Sequence, residues 1–375
     1  MIKFKAGTYK KQLEYQSFVP SLVNRSFIWE DKKIDVLNSE AMRLLGELNA
    51  YAVLVPDVNF FIQMNVVREA IASNMIEGTQ TGVDEIVLSQ EEINPERRDD
   101  WSEVQNYIKA INFSIDRLHK LPLSVHLLKE THKILLSGVR GKYKTPGVLR
   151  KSQNWIGGSS LSDAFFIPPA WEEVPDLLND LEKFWHNKQI YLPILIKTAI
   201  THYQFETIHP FLDGNGRLGR LLVVLQLIDA QTLIKPTLYL SAFFEKNKAS
   251  YYNALTMARE TSNLEQWVKF FLNGIIHTAK DGVEVFKQIV LLRQEYDVKI
   301  TALGIRTKNA QKLLLSMFSS PIVSTKRVEK NLGISFSSAN RLLKSLVDLK
   351  ILKEMTGFSR NRLFVLNEYL ELFKK

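Results

Sequence analysis

The chain has 375 residues, of which 45% are hydrophobic and 24% charged, the balance of a globular protein with a sizeable core. It contains no cysteine, which excludes disulfides, thiolate zinc sites and a cysteine nucleophile and fits a reducing compartment. The net charge of +9 is unevenly placed: residues 308–375 hold thirteen Lys or Arg against five Asp or Glu, so the first 300 residues are nearly neutral and the tail is basic.

Residues 1–16 carry no apolar signal core. Apolar runs such as residues 221–225 are far short of the ~18–20 residues a membrane span needs, so the expectation is a cytoplasmic protein with no membrane partner. Phe60, Phe61, Met64, Val67, Ile71 and Met75 recur at helical spacing, with Gly78 placed to stop the helix. A second helix follows from Trp101 through Val104, Tyr107, Ile108, Ile111, Ile115 and Leu118. Residues 141–169 break the period with Pro146, Gly147, Gly157, Gly158, Pro168 and Pro169. The short apolar pieces Asn154-Trp155-Ile156 and Phe165-Phe166-Ile167 between such turn residues predict an irregular hairpin. Leu195, Ala199 and Tyr203, with Ile196 and Ile200, predict a helix running into His209. The expected fold class is mainly α. The expected divisions are a helical N-terminal region (1–120), a helical core (121–278), a connecting helix (279–307) and a basic unit (308–375).

Residues 209–220 read His-Pro-Phe-Leu-Asp-Gly-Asn-Gly-Arg-Leu-Gly-Arg, directly before an apolar run. This pattern predicts a helix, a tight loop and the start of a buried helix. Gly214, Gly216 and Gly219 let the backbone lie close to a ligand, and amides at a helix N-terminus form an anion site. Arg217 and Arg220 share one helix face and can grip one polyphosphate. Asp213 is a hard oxygen ligand suited to Mg²⁺ beside phosphates, and His209, the one nearby group titrating near neutrality, is the natural general base. The segment spells GxGxxG, but a helix precedes it and residues 233–236 hold no acid, so a dinucleotide fingerprint fails. Arg220 and Leu221 stand where a P-loop needs Lys and Ser/Thr, and Arg217, Leu218 and Val224 defeat an EF-hand.

The segment resembles the Fic family signature, HPFx[D/E]GNGRxxR, at every defining position. Pro146-Gly147 with Arg150, and Gln153 to Gly157, are similar to the family's flap. His202 to Glu206 resembles its lead-in helix and Tyr251-Tyr252 a later helix, so the likeness covers roughly residues 120–275. The resemblance implies a Fic-type helical core with a β-hairpin flap, and transfer of AMP from ATP to a Ser, Thr or Tyr hydroxyl of a target protein with release of pyrophosphate. It implies His209 as the base, Asp213 as the Mg²⁺ ligand, and a nucleotide site of Gly214, Asn215, Gly216, Arg217, Leu218, Gly219 and Arg220, with Asn247 and Tyr252 on the adenine side. The flap would hold the target backbone as an added strand. Ser73-Asn74-Met75-Ile76-Glu77-Gly78 fits the family's inhibitory pattern, [S/T]xxxE[G/N], which implies that Ser73, Glu77 and Gly78 form an N-terminal brake with Glu77 facing Arg220. Similar proteins are often dimers.

In the tail, residues 308–318 and 325–332 predict helices, the second stopped by Gly333. Phe336, Ala339, Leu342, Leu343, Leu346 and Leu349 give an inward face to a third. Ser337, Ser338, Arg341 and Lys344 lie on the opposite side, and residues 351–354 and 362–366 pair around Thr356-Gly357. This resembles a winged helix, with DNA as the partner of the exposed face. Two other readings stay open: a DNA-binding regulator whose core only senses nucleotide, and phosphoryl transfer as in the Doc branch. Removal of AMP from a target by the same site is also open.

Overall fold

A computed structural model of the chain describes residues 4–55, 58–81, 93–355 and 362–373. They form two compact units, one of residues 1–45 with 65–279 and one of 46–64 with 280–375. The grouping is not by the four contiguous segments expected from sequence: residues 1–45 group with 65–279, and 46–64 with 280–375. Periodicity within a window reports which face of a helix is buried, not which distant segment covers it.

The first unit opens with an antiparallel hairpin, β1 (Gly7–Lys11) and β2 (Gln16–Pro20), with Gly7 opposite Pro20 and Lys11 opposite Gln16. This corrects the all-helical expectation for the N-terminal region. Only β2 is half-buried, so the strands lack the alternation that reveals a sheet in sequence. Helices α1 (Lys33–Leu54), α2 (Val58–Ile76) and α3 (Arg98–Leu118) follow, residues 46–64 of the first two belonging to the second unit. Helix α4 (Val125–Leu135) starts at Ser124, whose hydroxyl accepts the Leu127 N–H at 3.3 Å. Helix α5 (Val174–His186) carries proline in its first turn, where the missing N–H is harmless, and buries Leu177, Leu178, Leu181 and Phe184 on one face.

The centre of this unit is the pair α6 (Ile194–Ile208) and α7 (Asn215–Asp229). Every residue of α6 from Leu195 onward is buried, and so is nearly all of α7, as expected of helices with apolar residues on all faces. They pack on each other, α5 covers α6, and α3 and α4 cover α7. Helices α8 (Ser241–Lys246), α9 (Lys248–Thr261) and the long α10 (Leu264–Thr301) continue the chain. Between α4 and α5 the expected hairpin reduces to one antiparallel bridge, Ile156 with Phe166. Asp163 ties its turn by accepting the N–H groups of Ser159 and Ser160 at 2.8 and 2.7 Å. Strand β2 supports it from the other side: the Phe18 N–H donates to Ile167 O at 2.9 Å, and the Phe18 and Phe166 rings lie 5.8 Å apart.

The second unit continues from α10 with α11 (Thr307–Ser319), β3 (Ile322–Ser324), α12 (Thr325–Leu332), α13 (Phe336–Asp348), β4 (Lys353–Glu354), β5 (Leu363–Val365) and α14 (Asn367–Glu371). The strands form an antiparallel sheet in the order β3-β5-β4. Strand β3 and helix α14 are additions to the three helices and hairpin expected. Ser324 and Ser335 cap α12 and α13. Phe336 is a correction: it is 51% exposed, because it sits in the first turn of α13, beyond the stretch Ala339, Leu342, Leu343 and Leu346 that packs inward. Thr356 and Gly357 lie outside the described residues. No described helix is long and apolar enough to cross a membrane.

Candidate active site

Helix α6 ends at Ile208, and the chain reverses through His209, whose backbone is left-handed (φ 49°, ψ 62°) while its N–H still bonds Phe205 O at 3.0 Å. Left-handed backbone is unusual for a residue with a side chain, and here a set of buried donors holds it. Arg150, 2% exposed, donates from Nε to His209 O at 3.0 Å and from Nη2 to Pro169 O at 2.6 Å and Ile208 O at 3.3 Å. Its Nη1 donates to Ser152 O at 3.3 Å. Asn154 Nδ2 donates to His209 O and Phe211 O at 3.2 and 2.9 Å. Asn215 closes the loop from within, exchanging two bonds with the Phe211 backbone at 2.8 Å each. The residues that resembled a flap thus clamp the loop as well. Arg150→Met, which keeps the stem and removes four charge-assisted bonds, is expected to cost about 3–5 kcal/mol, read as a lowered urea midpoint.

His132 is a further tie. Its Nδ1 accepts the Gly147 N–H at 2.8 Å, its Nε2–H donates to Asp213 O at 2.9 Å, and its ring stacks on Phe211 at 3.9 Å. Burial pushes this imidazole down to about 4, so it stays neutral with each nitrogen in a fixed role.

The two arginines are held by different elements. Arg220, 2% exposed, donates from Nε to Ser73 Oγ at 2.9 Å and from Nη2 to Ser73 O at 2.8 Å and Glu77 Oε1 at 2.7 Å. Burial opposes ionisation of Glu77, but the charge and hydrogen bond of Arg220 together outweigh it and hold the carboxyl below the usual range. A Cβ on Gly216 would fall 2.5 Å from Glu77 Oε1, so this carboxylate rests on the bare backbone at the start of α7. Arg217 donates from Nη1 to Glu103 Oε2 at 2.9 Å and Asn74 Oδ1 at 3.3 Å.

His209 is half-buried, and its Nδ1 makes no hydrogen bond among the described residues. Burial, with the charges of Arg259 and Arg150, pushes the imidazole down to about 4 against the opposing Glu206 carbonyl and Glu77 carboxylate. At neutral pH it is an uncharged ring able to accept a proton. The Asp213 side chain is 42% exposed, and its Oδ1 accepts the Gly214 N–H at 2.6 Å. No cluster of three or more metal-ligating side chains occurs among the described residues. One carboxylate fits Mg²⁺ that arrives with a nucleotide and takes its other oxygens from phosphates and water.

Of the residues singled out in sequence, His209, Asp213, Gly214, Gly216, Arg220, Ser73 and Glu77 come together here. Others are placed differently. Leu218 is fully buried, and Gly219 makes room for Glu206, whose Oε1 would lie 2.2 Å from a Cβ there. The Asn215 amide is spent on the loop itself, and the Asn247 Nδ2 donates to Phe243 O at 2.9 Å. Tyr252 is 40% exposed, beside Tyr251. Gly78 (φ 99°) ends the turn after α2. His202 is packed: its Nδ1–H donates to Gly219 O at 3.0 Å and its Nε2 accepts from Tyr251 Oη at 2.8 Å. Sequence reading missed His132, Glu103 and the loop-binding role of Asn154. Glu103 and His132 sit on the apolar faces of α3 and α4, and a polar residue on such a face was the available signal.

Two family models match in tandem, "Fic/DOC family N-terminal" over residues 36–116 and "Fic/DOC family" over residues 122–227. The chain thus carries the two domains of the Fic/DOC family. A protein adenylyltransferase Fic of Aedes aegypti is 32% identical over 126 residues, 33% of this chain and 22% of that protein. The Drosophila melanogaster protein of the same name is 30% identical over 166 residues, 44% of this chain and 30% of that one. The chain spans well under two thirds of these curated relatives. Its fold is shared with a Fic family protein from Desulfovibrio desulfuricans G20 (TM-score 0.60, 20% identity, 91% of this chain and 98% of that one). It is also shared with Fic-1 from C. elegans (TM-score 0.52, 19% identity, 68% and 74%).

Proposed function

We propose that this protein transfers AMP from ATP to a hydroxyl side chain of a target protein, releasing pyrophosphate, and that Glu77 restrains the reaction. The observation that carries this reading is one juxtaposition: an uncharged His209 beside a helix N-terminus whose buried Arg220 has its charge taken by Glu77 at 2.7 Å. The matched relatives are named protein adenylyltransferases, which supports the same chemistry. In the proposed step His209 takes the proton of the target hydroxyl, the hydroxyl oxygen bonds to the α-phosphorus, and the bond to the β-phosphate oxygen breaks so that pyrophosphate leaves with the electron pair. Amides around Gly214 to Gly216 and the Arg220 guanidinium would stabilise the phosphate oxygens. A divalent cation held by Asp213 would neutralise charge on the phosphates. Glu77, sitting on Arg220, would occupy the place of the γ-phosphate.

Mass spectrometry of the protein incubated with ATP and with lysate tests this reading. AMP adds one mass, a phosphate from Doc-type transfer a smaller one, and a nucleotide sensor adds none. The last outcome with both wild type and Glu77→Gly would end the adenylyltransferase reading.

For the second unit the order helix, strand, helix, helix, strand, strand supports a winged-helix reading. Ser337, Arg341 and Lys344 are exposed and Ser338 half-exposed on α13, opposite its apolar face, which suits DNA. Binding to duplex DNA is expected to weaken steeply with salt. A log–log slope of about −4 to −5 would reflect five or so phosphate contacts, and Arg341→Ala should lower it by about one. Affinity indifferent to salt would remove DNA as the partner.

A further inference from the structure

Asp213 and Arg217 stand four residues apart, Asp213 in the loop just before α7 and Arg217 in its first turn. A guanidinium that pairs fully with a carboxylate lies about 2.8 Å from it. They form only a loose ion pair: Arg217 Nη2 is 3.6 Å from Asp213 Oδ1. The guanidinium is drawn elsewhere, to Glu103 Oε2 on α3 at 2.9 Å and to Asn74 Oδ1 on α2 at 3.3 Å. The Glu103 and Arg217 side chains are 7% and 5% exposed, whereas Asp213 is 42% exposed. Attraction is stronger in the drier pair, so Glu103 wins the competition for Arg217. Asp213 keeps its solvent-facing lone pairs.

We propose that Glu103 is a positioning residue for the cation site: by anchoring Arg217 it keeps the Asp213 carboxylate open to the divalent cation that accompanies the nucleotide. A buried guanidinium deprived of Glu103 must find another counterion, and Asp213, four residues away, already lies 3.6 Å distant. Closure would neutralise Asp213 and cover an oxygen that the cation needs. The identity of the ligand rests on the adenylyltransferase reading above, but the position of Arg217 does not.

The test uses Glu103→Gln, which keeps shape and hydrogen bonding and removes the charge, in the full chain carrying Glu77→Gly. Calorimetric titration with ATP is run with Mg²⁺ and with EDTA. The Mg²⁺ concentration for half-maximal ATP binding is expected to rise about tenfold, while ATP binding in EDTA stays unchanged or tightens. A residue that merely supports the fold would weaken both alike, and that result, like no change in either, overturns the proposal. Glu103→Asp, which restores the charge, is expected to recover most of the Mg²⁺ response. An arm independent of nucleotide is the crystal structure of the Glu103→Gln protein. The Asp213–Arg217 separation is expected to close to about 3 Å, and its persistence at 3.6 Å overturns the proposal whatever the titrations give. If the Glu77→Gly parent takes up no ATP at all, the adenylyltransferase reading fails, and the crystallographic arm alone decides the role of Glu103.

Discussion

Replacing Glu77 with glycine is expected to raise AMP transfer about 30- to 1000-fold, the rate equivalent of removing ~2–4 kcal/mol of blocking interaction. Among the hydrogen bonds of Arg220 to described residues, the one to Glu77 is to a carboxylate: Ser73 supplies a hydroxyl and a carbonyl, and both remain in the variant. Arg220 therefore stays in place with its charge available to a γ-phosphate. Helix α2 also stays seated, because Glu69, two turns before Glu77, is bonded by Tyr107 Oη at 2.9 Å and the Ser241 N–H at 3.0 Å. The Ile76 carbonyl accepts from Lys248 Nζ at 2.5 Å. The same substitution leaves a buried guanidinium without its counterion, so stability should fall by about 1–3 kcal/mol while activity rises. ATP should restore it by mass action. Radiolabelled ATP and thermal melts on one preparation check both signs. Equal labelling by wild type and variant, with His209 variants silent, would remove the brake and leave the enzyme.

His209→Asn is expected to lower transfer by about 10²–10⁴-fold with nucleotide binding retained, the usual contribution of a positioned base. Asparagine is preferred to alanine because residue 209 is left-handed (φ 49°), a conformation that asparagine tolerates. The loss can then be assigned to the imidazole and not to the loop. The pH profile adds an independent reading. An imidazole held near 4 is already neutral at pH 6, so protonation removes the base only as the pH falls towards that value. For wild type kcat/KM should stay flat from pH 8 to below 6.5, where an unperturbed histidine would already be half protonated. A half-loss at pH 6.5 would show that the base is exposed in the free enzyme. Undiminished transfer by His209→Asn would show that another group takes the proton.

Much of this was legible in the chain. The apolar periods located α2, α3 and α6; α3 buries residues at steps of three and four, whereas α6 is buried on every face. The loop of residues 209–220 could be read directly, because the glycines, arginines, acid and histidine that meet in space are also neighbours in sequence. The pairing of Glu77 with Arg220 was inferable from a pattern but not from local chemistry, since 143 residues separate the partners. The hairpin of residues 7–20 escaped notice because its partner is the distant Phe166 and Ile167, and a strand stabilised from outside shows no period of its own. Phe336 misled because helical spacing gives the face of a residue, not how far the neighbouring helix extends.

The sequence alone determined which residue types stand at the start of α7 and therefore that an anion, a hard cation and a proton acceptor can meet there, since those properties belong to the side chains and their spacing. Tertiary structure decided their state. Partial burial and the charges of Arg259 and Arg150 keep the His209 ring neutral, and packing sets Glu77 on Arg220 and assigns Arg217 to Glu103 in preference to Asp213. Desolvation and charge pairing depend on what lies within a few ångströms, and only the folded chain fixes that.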